Sequence, residues 1–142
     1  MGGMFRFINH MMRGLAAAGA VRKEDAMITI DSELALEACL SASEGTPLFL
    51  LKHSTRCPIS SNALDEVRDY VEGAGEAGAP VYINYVVENR AISNQLAEVL
   101  GIRHESPQLF LIAGTKVVWH ASHGGITQKQ MTSALRAEKR KS

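Results

Sequence analysis

The chain has 142 residues, 46% hydrophobic and 21% charged, a balance that suits one globular domain with a real core. Fifteen basic and fifteen acidic residues cancel to a formal net charge of zero, so no basic excess points to nucleic acid. Two cysteines, Cys39 and Cys57, are too few for a disulfide scaffold and fit a reducing cytoplasm, where a lone positioned cysteine is more often catalytic or redox-sensing.

Residues 1–26 differ from the rest. Up to Lys23 they carry Arg6, Arg13, Arg22 and Lys23 and no acid, and Leu15 to Val21 is almost all alanine and glycine. His10 and Arg13 interrupt the apolar stretch, so it neither spans a membrane nor makes a good secretory signal. The segment reads as a flexible N-terminal extension, with Met27 as a second candidate start. Residues 27–142 then form the domain.

Asp31 is placed to cap a first helix, in which Leu34, Leu36, Ala38, Cys39 and Leu40 recur at helical spacing as far as Ser43. Gly45-Thr46-Pro47 breaks it, and the run 48–53 predicts a strand buried on both faces. After Cys57, residues Ala63, Leu64, Val67, Tyr70 and Val71 mark an amphipathic helix that ends at Gly73-Ala74-Gly75. Val81 to Val87 reads as a second strand. Ser93 is expected to cap a short helix with Leu96, Val99 and Leu100 inward and Gly101 as its stop. Pro107 opens a hairpin, Gln108–Ala113 and Lys116–Ala121, turning at Gly114-Thr115. Gly124-Gly125 leads to a last helix over about 127–137. This order implies an α/β domain with a mixed sheet flanked by helices, its site beyond the carboxyl ends of the strands.

Cys57 falls there, between strand and helix. At N-cap, with Pro58 at N1, it would meet the free N–H groups of Ile59, Ser60 and Ser61 and the positive helix end, which favour thiolate over thiol. Thiolates are the nucleophiles of thiol–disulfide exchange. The position three residues on, where a dithiol enzyme has its second cysteine, is Ser60, so the chain reads as a one-cysteine redox protein. Ser60 itself suits a capping or thiolate-donor role. Cys39, on the apolar stripe of the first helix, reads as a small buried hydrophobe rather than a resolving cysteine. His53, if protonated, would favour the thiolate. His53, His120 and His123 invite a metal reading with Cys57, but their spacing suits it poorly and no metal site is expected. Trp119 reads as core.

The motifs His53-Ser54-Thr55-Arg56-Cys57-Pro58-Ile59-Ser60, Glu88-Asn89-Arg90, Ser93-Asn94, His104-Glu105-Ser106-Pro107-Gln108 and Val117 to His123 resemble the YtxJ family, monothiol bacilliredoxin-like proteins of the bacillithiol system. The resemblance covers about residues 28–137. It implies a thioredoxin-like fold and a cytoplasmic oxidoreductase that removes bacillithiol from S-thiolated client proteins through a mixed disulfide on Cys57. It implies no tightly bound cofactor; bacillithiol, or glutathione, is the co-substrate, and no nucleic acid or membrane partner is implied. Thr55, Arg56, Pro58 and Ser60 would contact substrate around the sulfur. Ser106-Pro107 resembles the Xaa–cis-Pro pair that faces the cysteine in this fold. Gly124-Gly125 resembles the glutaredoxin glycine pair that approaches a glutathione carboxylate. Lys52, Arg56, Arg90 and Arg103 are candidate partners for carboxylates of the small thiol. Two rival readings are a redox-buffering module, whose Cys57 is capped reversibly without turnover, and a glutathione-linked cluster carrier. The second is disfavoured because monothiol glutaredoxins have glycine where Pro58 stands.

Overall fold

The computed structural model describes residues 26–141. The expected extension over residues 1–26 therefore lies, apart from Ala26, outside the described residues. From there the chain runs β1 (Met27–Thr29), α1 (Glu33–Gly45), β2 (Leu48–His53), α2 (Pro58–Ala74), β3 (Val81–Tyr85), α3 (Arg90–Leu100), β4 (Gln108–Ala113), β5 (Lys116–Ser122) and α4 (Gln128–Lys139).

The strands form one mixed sheet in the order β1-β3-β2-β4-β5. β1 and β2 both pair parallel with β3, while β4 lies antiparallel to β2 and to β5. Side chains alternate across a strand, so β2 divides its residues between two cores. Phe49 and Leu51 pack with Ala63, Val67 and Tyr70 of α2 and Met131 and Leu135 of α4. Leu48 and Leu50 pack with Leu36 and Cys39 of α1 and Ile92 and Leu96 of α3. The result is three layers, helix pairs on both faces of the sheet. Phe49 anchors the first core, edge-on to Tyr70 at 5.3 Å and to Trp119 at 6.4 Å between ring centroids.

Several expectations shift. β1 has no signature in the sequence; three residues are too few for a pattern, and pairing with β3 makes them a strand. Ser32, not Asp31, caps α1, because its hydroxyl accepts from the Ala35 N–H at 3.1 Å. Leu36, Cys39 and Ser43 set the buried face of α1, which turns Leu34 out to 76% exposure. α3 starts at Arg90 with Asn89 at N-cap, so Ser93 lies inside the helix and is fully buried. Its inward face is Ile92, Ser93 and Leu96, and Val99 is 55% exposed. Gly101 ends α3 with φ +68°, a left-handed conformation that favours glycine. The hairpin turns on Gly114 and Thr115, both at positive φ, and is tied to α1 by Gly114 N–H to Ser43 O at 2.8 Å and Thr115 N–H to Ser43 Oγ at 2.9 Å.

Candidate active site

Where β2 ends, the chain makes a tight turn into α2. The Cys57 N–H closes it onto the Ser54 carbonyl at 3.3 Å, and the Arg56 N–H donates to Ser54 Oγ at 3.3 Å. Cys57 is the extended N-cap residue and Pro58 the first residue of the helix. Thr55 and Arg56 are exposed, and Thr55 Oγ1 donates to Glu88 Oε1 at 3.1 Å, joining this turn to the one after β3. Thr55, Arg56, Cys57, Pro58, Ser61 and Asn62 together line a shallow, open depression with the sulfur in it.

The Cys57 thiol is held below its ordinary pKa, first by the backbone N–H of Ser60; desolvation opposes this, and the Ile59 N–H and then the Ser60 hydroxyl add to the lowering. Sγ makes no full capping hydrogen bond, so these groups act on it mainly as oriented dipoles. The Ser60 N–H also reaches the Cys57 carbonyl at 3.1 Å, and the Ser61 N–H goes to that carbonyl at 3.3 Å. Ser61 therefore does not serve the sulfur as expected. Ser60 is fully buried, and its Oγ accepts from the Ser54 N–H at 3.4 Å, which leaves the hydroxyl proton for Cys57. Replacing Ser60 by alanine removes this donor, so the thiol pKa should rise and alkylation by iodoacetamide at pH 7 should slow several-fold. Thiolate absorbance followed against pH checks the first, and alkylation kinetics the second.

Cys39 is different. It is fully buried, and burial pushes its thiol up to about 12. It belongs to the core between the sheet and α1/α3, whereas α2, which carries Cys57 at its start, packs on the opposite face. A layer of sheet separates the two helices' cores, and both cysteines are free.

Two proposed charges change their roles. His53 is buried, edge-on to Tyr85, and burial lowers its pKa, so it stays neutral and adds no positive charge beside the thiolate. Lys52 is fully buried, with Nζ donating to the Ser93 carbonyl at 3.0 Å and to His104 Nδ1 at 3.1 Å, and is unavailable to a ligand carboxylate. Arg56, Arg90 and Arg103 remain exposed. The signal for Lys52 was present: a lysine at an inward position of an otherwise apolar strand needs buried partners.

The Ser106–Pro107 peptide bond is cis. Lys52 pairs with Gln108 across β2 and β4, so Ser106 and Pro107 lie just past the sheet at the end where β2 runs on to Cys57. Ser106 Oγ is buried with no hydrogen-bond partner. The His123 N–H donates to the Pro107 carbonyl at 3.1 Å, which brings the His123–Gly125 turn alongside. That turn packs against α2. Gly124 and Gly125 both have ordinary φ, and a Cβ on either meets nothing closer than 3.7 Å, so neither glycine is demanded by the backbone. The first N–H of α4, at Gln128, is already taken by Glu66 Oε1 at 3.1 Å, and Thr127 Oγ1 accepts from Gln130 N–H. A carboxylate already sits at this helix start, so its first N–H is not free for a second anion. Among the described residues no group of three or more His, Cys, Asp or Glu side chains is placed to hold a metal ion.

A family model described as monothiol bacilliredoxin BrxC matches residues 28–131. The chain belongs to this family. Among solved structures, a thioredoxin-fold protein assigned as an oxidoreductase is 28% identical with a TM-score of 0.71, covering 79% of this chain and 96% of that one. Thioredoxin from Trypanosoma brucei brucei superposes with a TM-score of 0.65 at 11% identity, covering 86% and 97% of the two chains. Fasciola hepatica thioredoxin gives 0.62 at 14% identity, covering 78% and 98%. At those identities the two thioredoxins speak for the fold alone, which is the thioredoxin fold the bacilliredoxin motifs implied. Family and fold together support a thiol oxidoreductase role that engages thiols and protein clients. Among the described residues no helix is long and apolar enough to cross a membrane.

Proposed function

We propose that this bacilliredoxin-family protein is a cytoplasmic monothiol oxidoreductase that removes bacillithiol, or a similar small thiol, from S-thiolated client proteins. The observation that carries the reading is an accessible sulfur at the start of α2, its thiol pKa lowered, with a serine rather than a cysteine three residues on. The Cys57 thiolate attacks the small-thiol sulfur of the mixed disulfide. That S–S bond breaks, the client leaves as a thiolate and takes a proton from water, and Cys57 now carries the small thiol. A second small thiol, as thiolate, attacks this adduct, releasing the symmetrical small-molecule disulfide and restoring Cys57. Ser60 has no sulfur with which to expel the adduct internally, so the second step requires an outside thiol.

Arg56, in the same depression as the sulfur, is a carboxylate partner for the small thiol, and Thr55 and Pro58 shape the approach. Ser106, with a buried hydroxyl lacking a partner, and Pro107 form the edge against which the substrate is oriented. Gly124 and Gly125 contribute backbone shape only.

Intact mass after exposure to oxidised bacillithiol and, separately, oxidised glutathione should show one adduct per chain, on Cys57, formed faster with bacillithiol. A bacillithiolated model peptide should then be released at multiple turnovers when free bacillithiol is supplied. An adduct on Cys57 without peptide release would replace this reading with the buffering module, and equal rates with both disulfides would remove the bacillithiol preference.

A further inference from the structure

Three buried polar side chains stand in one row across the sheet. Lys52 on β2 pairs with Asn84 on β3 and with Gln108 on β4, on the face covered by α1 and α3. All three are 0–1% exposed. Leu48 and Leu50 fill the same face of β2 further back along the strand, so packing alone asks for another apolar residue at 52. Burying an ammonium there carries a desolvation cost that only its hydrogen bonds offset.

Those bonds converge on one segment. Lys52 Nζ holds His104 Nδ1 at 3.1 Å and anchors itself on the Ser93 carbonyl of α3 at 3.0 Å. Ser93 Oγ lies 3.3 Å from the same ring nitrogen. Gln108 holds the adjacent residues: its Nε2 donates to the Arg103 carbonyl at 3.0 Å, and its Oε1 accepts from the Glu105 N–H at 3.2 Å. An ammonium has no lone pair, so His104 accepts at Nδ1 and must be neutral. Burial first, then Lys52 and Arg90, push its pKa down, with Glu105 opposing, which keeps that lone pair available. Residues 103, 104 and 105 are thus gripped from inside the sheet immediately before Ser106 and Pro107.

We propose that Lys52, through His104, is a positioning residue that holds the 103–107 segment, and with it the Ser106–Pro107 edge, in register with the Cys57 turn. The kinetic part of this inference rests on the exchange reaction proposed above; the structural part does not. Lys52 touches neither sulfur nor substrate. Its loss should leave the nucleophile intact and loosen the edge that orients the incoming disulfide.

The test compares full-length wild type with Lys52→Met, which keeps length and apolar bulk, and with His104→Leu and His104→Asn, the last retaining an acceptor near the Nδ1 position. Amide hydrogen exchange over residues 105–109 should quicken about tenfold in Lys52→Met and His104→Leu, the size expected for one lost bond to a charged group, and stay near wild type in His104→Asn. Exchange in α2 and iodoacetamide alkylation of Cys57 should not change. With a bacillithiolated peptide, the two disruptive variants should raise KM about tenfold with kcat retained. Unchanged exchange over 105–109, equal quickening in α2, or His104→Asn behaving as His104→Leu would overturn the proposal. If Lys52→Met does not fold, the His104 pair decides. If the wild type turns over no mixed disulfide, the proposed function fails, while hydrogen exchange still tells whether Lys52 holds the segment.

Discussion

Replacing Cys57 by serine is expected to reduce peptide dethiolation to the rate measured without protein, whereas Cys39→Ala retains the wild-type rate. The two thiols differ in every physical respect that governs exchange. Cys57 lies in an open depression at a helix start, and the Ser60 and Ile59 N–H groups favour its thiolate. Cys39 is sealed in the α1/α3 core with its thiol at about 12, so at neutral pH it is protonated and out of reach. Serine cannot substitute at 57, because an alcohol neither ionises near neutral pH nor forms a disulfide. Cys39→Ala should instead cost roughly 1–2 kcal/mol of stability for the lost buried sulfur and the space it leaves. Initial rates for the three proteins, with urea melts alongside, check both halves. Loss of activity in Cys39→Ala with its fold intact would return the buried cysteine to the mechanism.

The stability of wild type relative to Lys52→Met is expected to rise by about 3 kcal/mol between pH 8 and pH 10.5. Burial lowers the Lys52 pKa from 10.5 to about 8, so in this window the unfolded lysine holds a proton that the folded one has released. Stability rises with pH wherever the unfolded chain binds more protons, by about 1.4 kcal/mol for each pH unit that separates the folded and unfolded pKa values. The gain is complete above pH 10.5 and is lost as pH falls through 8, where the buried amine must carry its charge. The groups that face it are His104 from the segment before Pro107, Ser93 from α3, and Asn84 and Gln108 from the neighbouring strands, while Arg90 and Glu105 act on His104 in opposite senses. Cys39 works in the opposite sense, because its folded pKa is raised: its contribution is present below pH 9 and fades as pH climbs toward 12. Cys39, Tyr70 and Cys57 are common to both proteins and cancel in the difference. Urea melts of the pair at intervals from about pH 7 upward through the window measure it. A flat difference would mean that Lys52 is not titrating as a buried amine.

Much of this protein was legible along the chain itself. Strand β2 declared itself by the apolar run Leu48 to Leu51, α2 by its apolar spacing, and the hairpin by Gly114-Thr115 between two short strands. The Cys57-Pro58 pair announced a thiol at a helix start. These signals are local: periodicity, caps and turn chemistry act within a few residues, so the order of residues carries them. The motifs of the bacilliredoxin family added the cis bond before Pro107, which composition alone does not favour.

Other features depended on what lay across the sheet. β1 exists because β3 offers it hydrogen bonds, and the phase of α1 was settled by which side chains met Leu48 and Leu50. Ser93 has the chemistry of a cap, but α3 begins three residues earlier and turns it toward His104. The start of α4 has the look of an open carboxylate site, yet Glu66, 62 residues before Gln128 in the chain, occupies it.

The residue types at 57 and 60 determined by themselves that one thiol, with no second cysteine three residues on, stands at a helix start, where helix-end dipoles act on whatever side chain is at the N-cap. Only the tertiary structure decided which charges stand near the chemistry. His53 and Lys52 look alike in a sequence as cations beside a cysteine, but the pleat sends them to opposite faces and burial strips one of its charge. The other becomes an internal clamp. Desolvation depends on neighbours brought from four separate elements, and no local pattern along the chain encodes it.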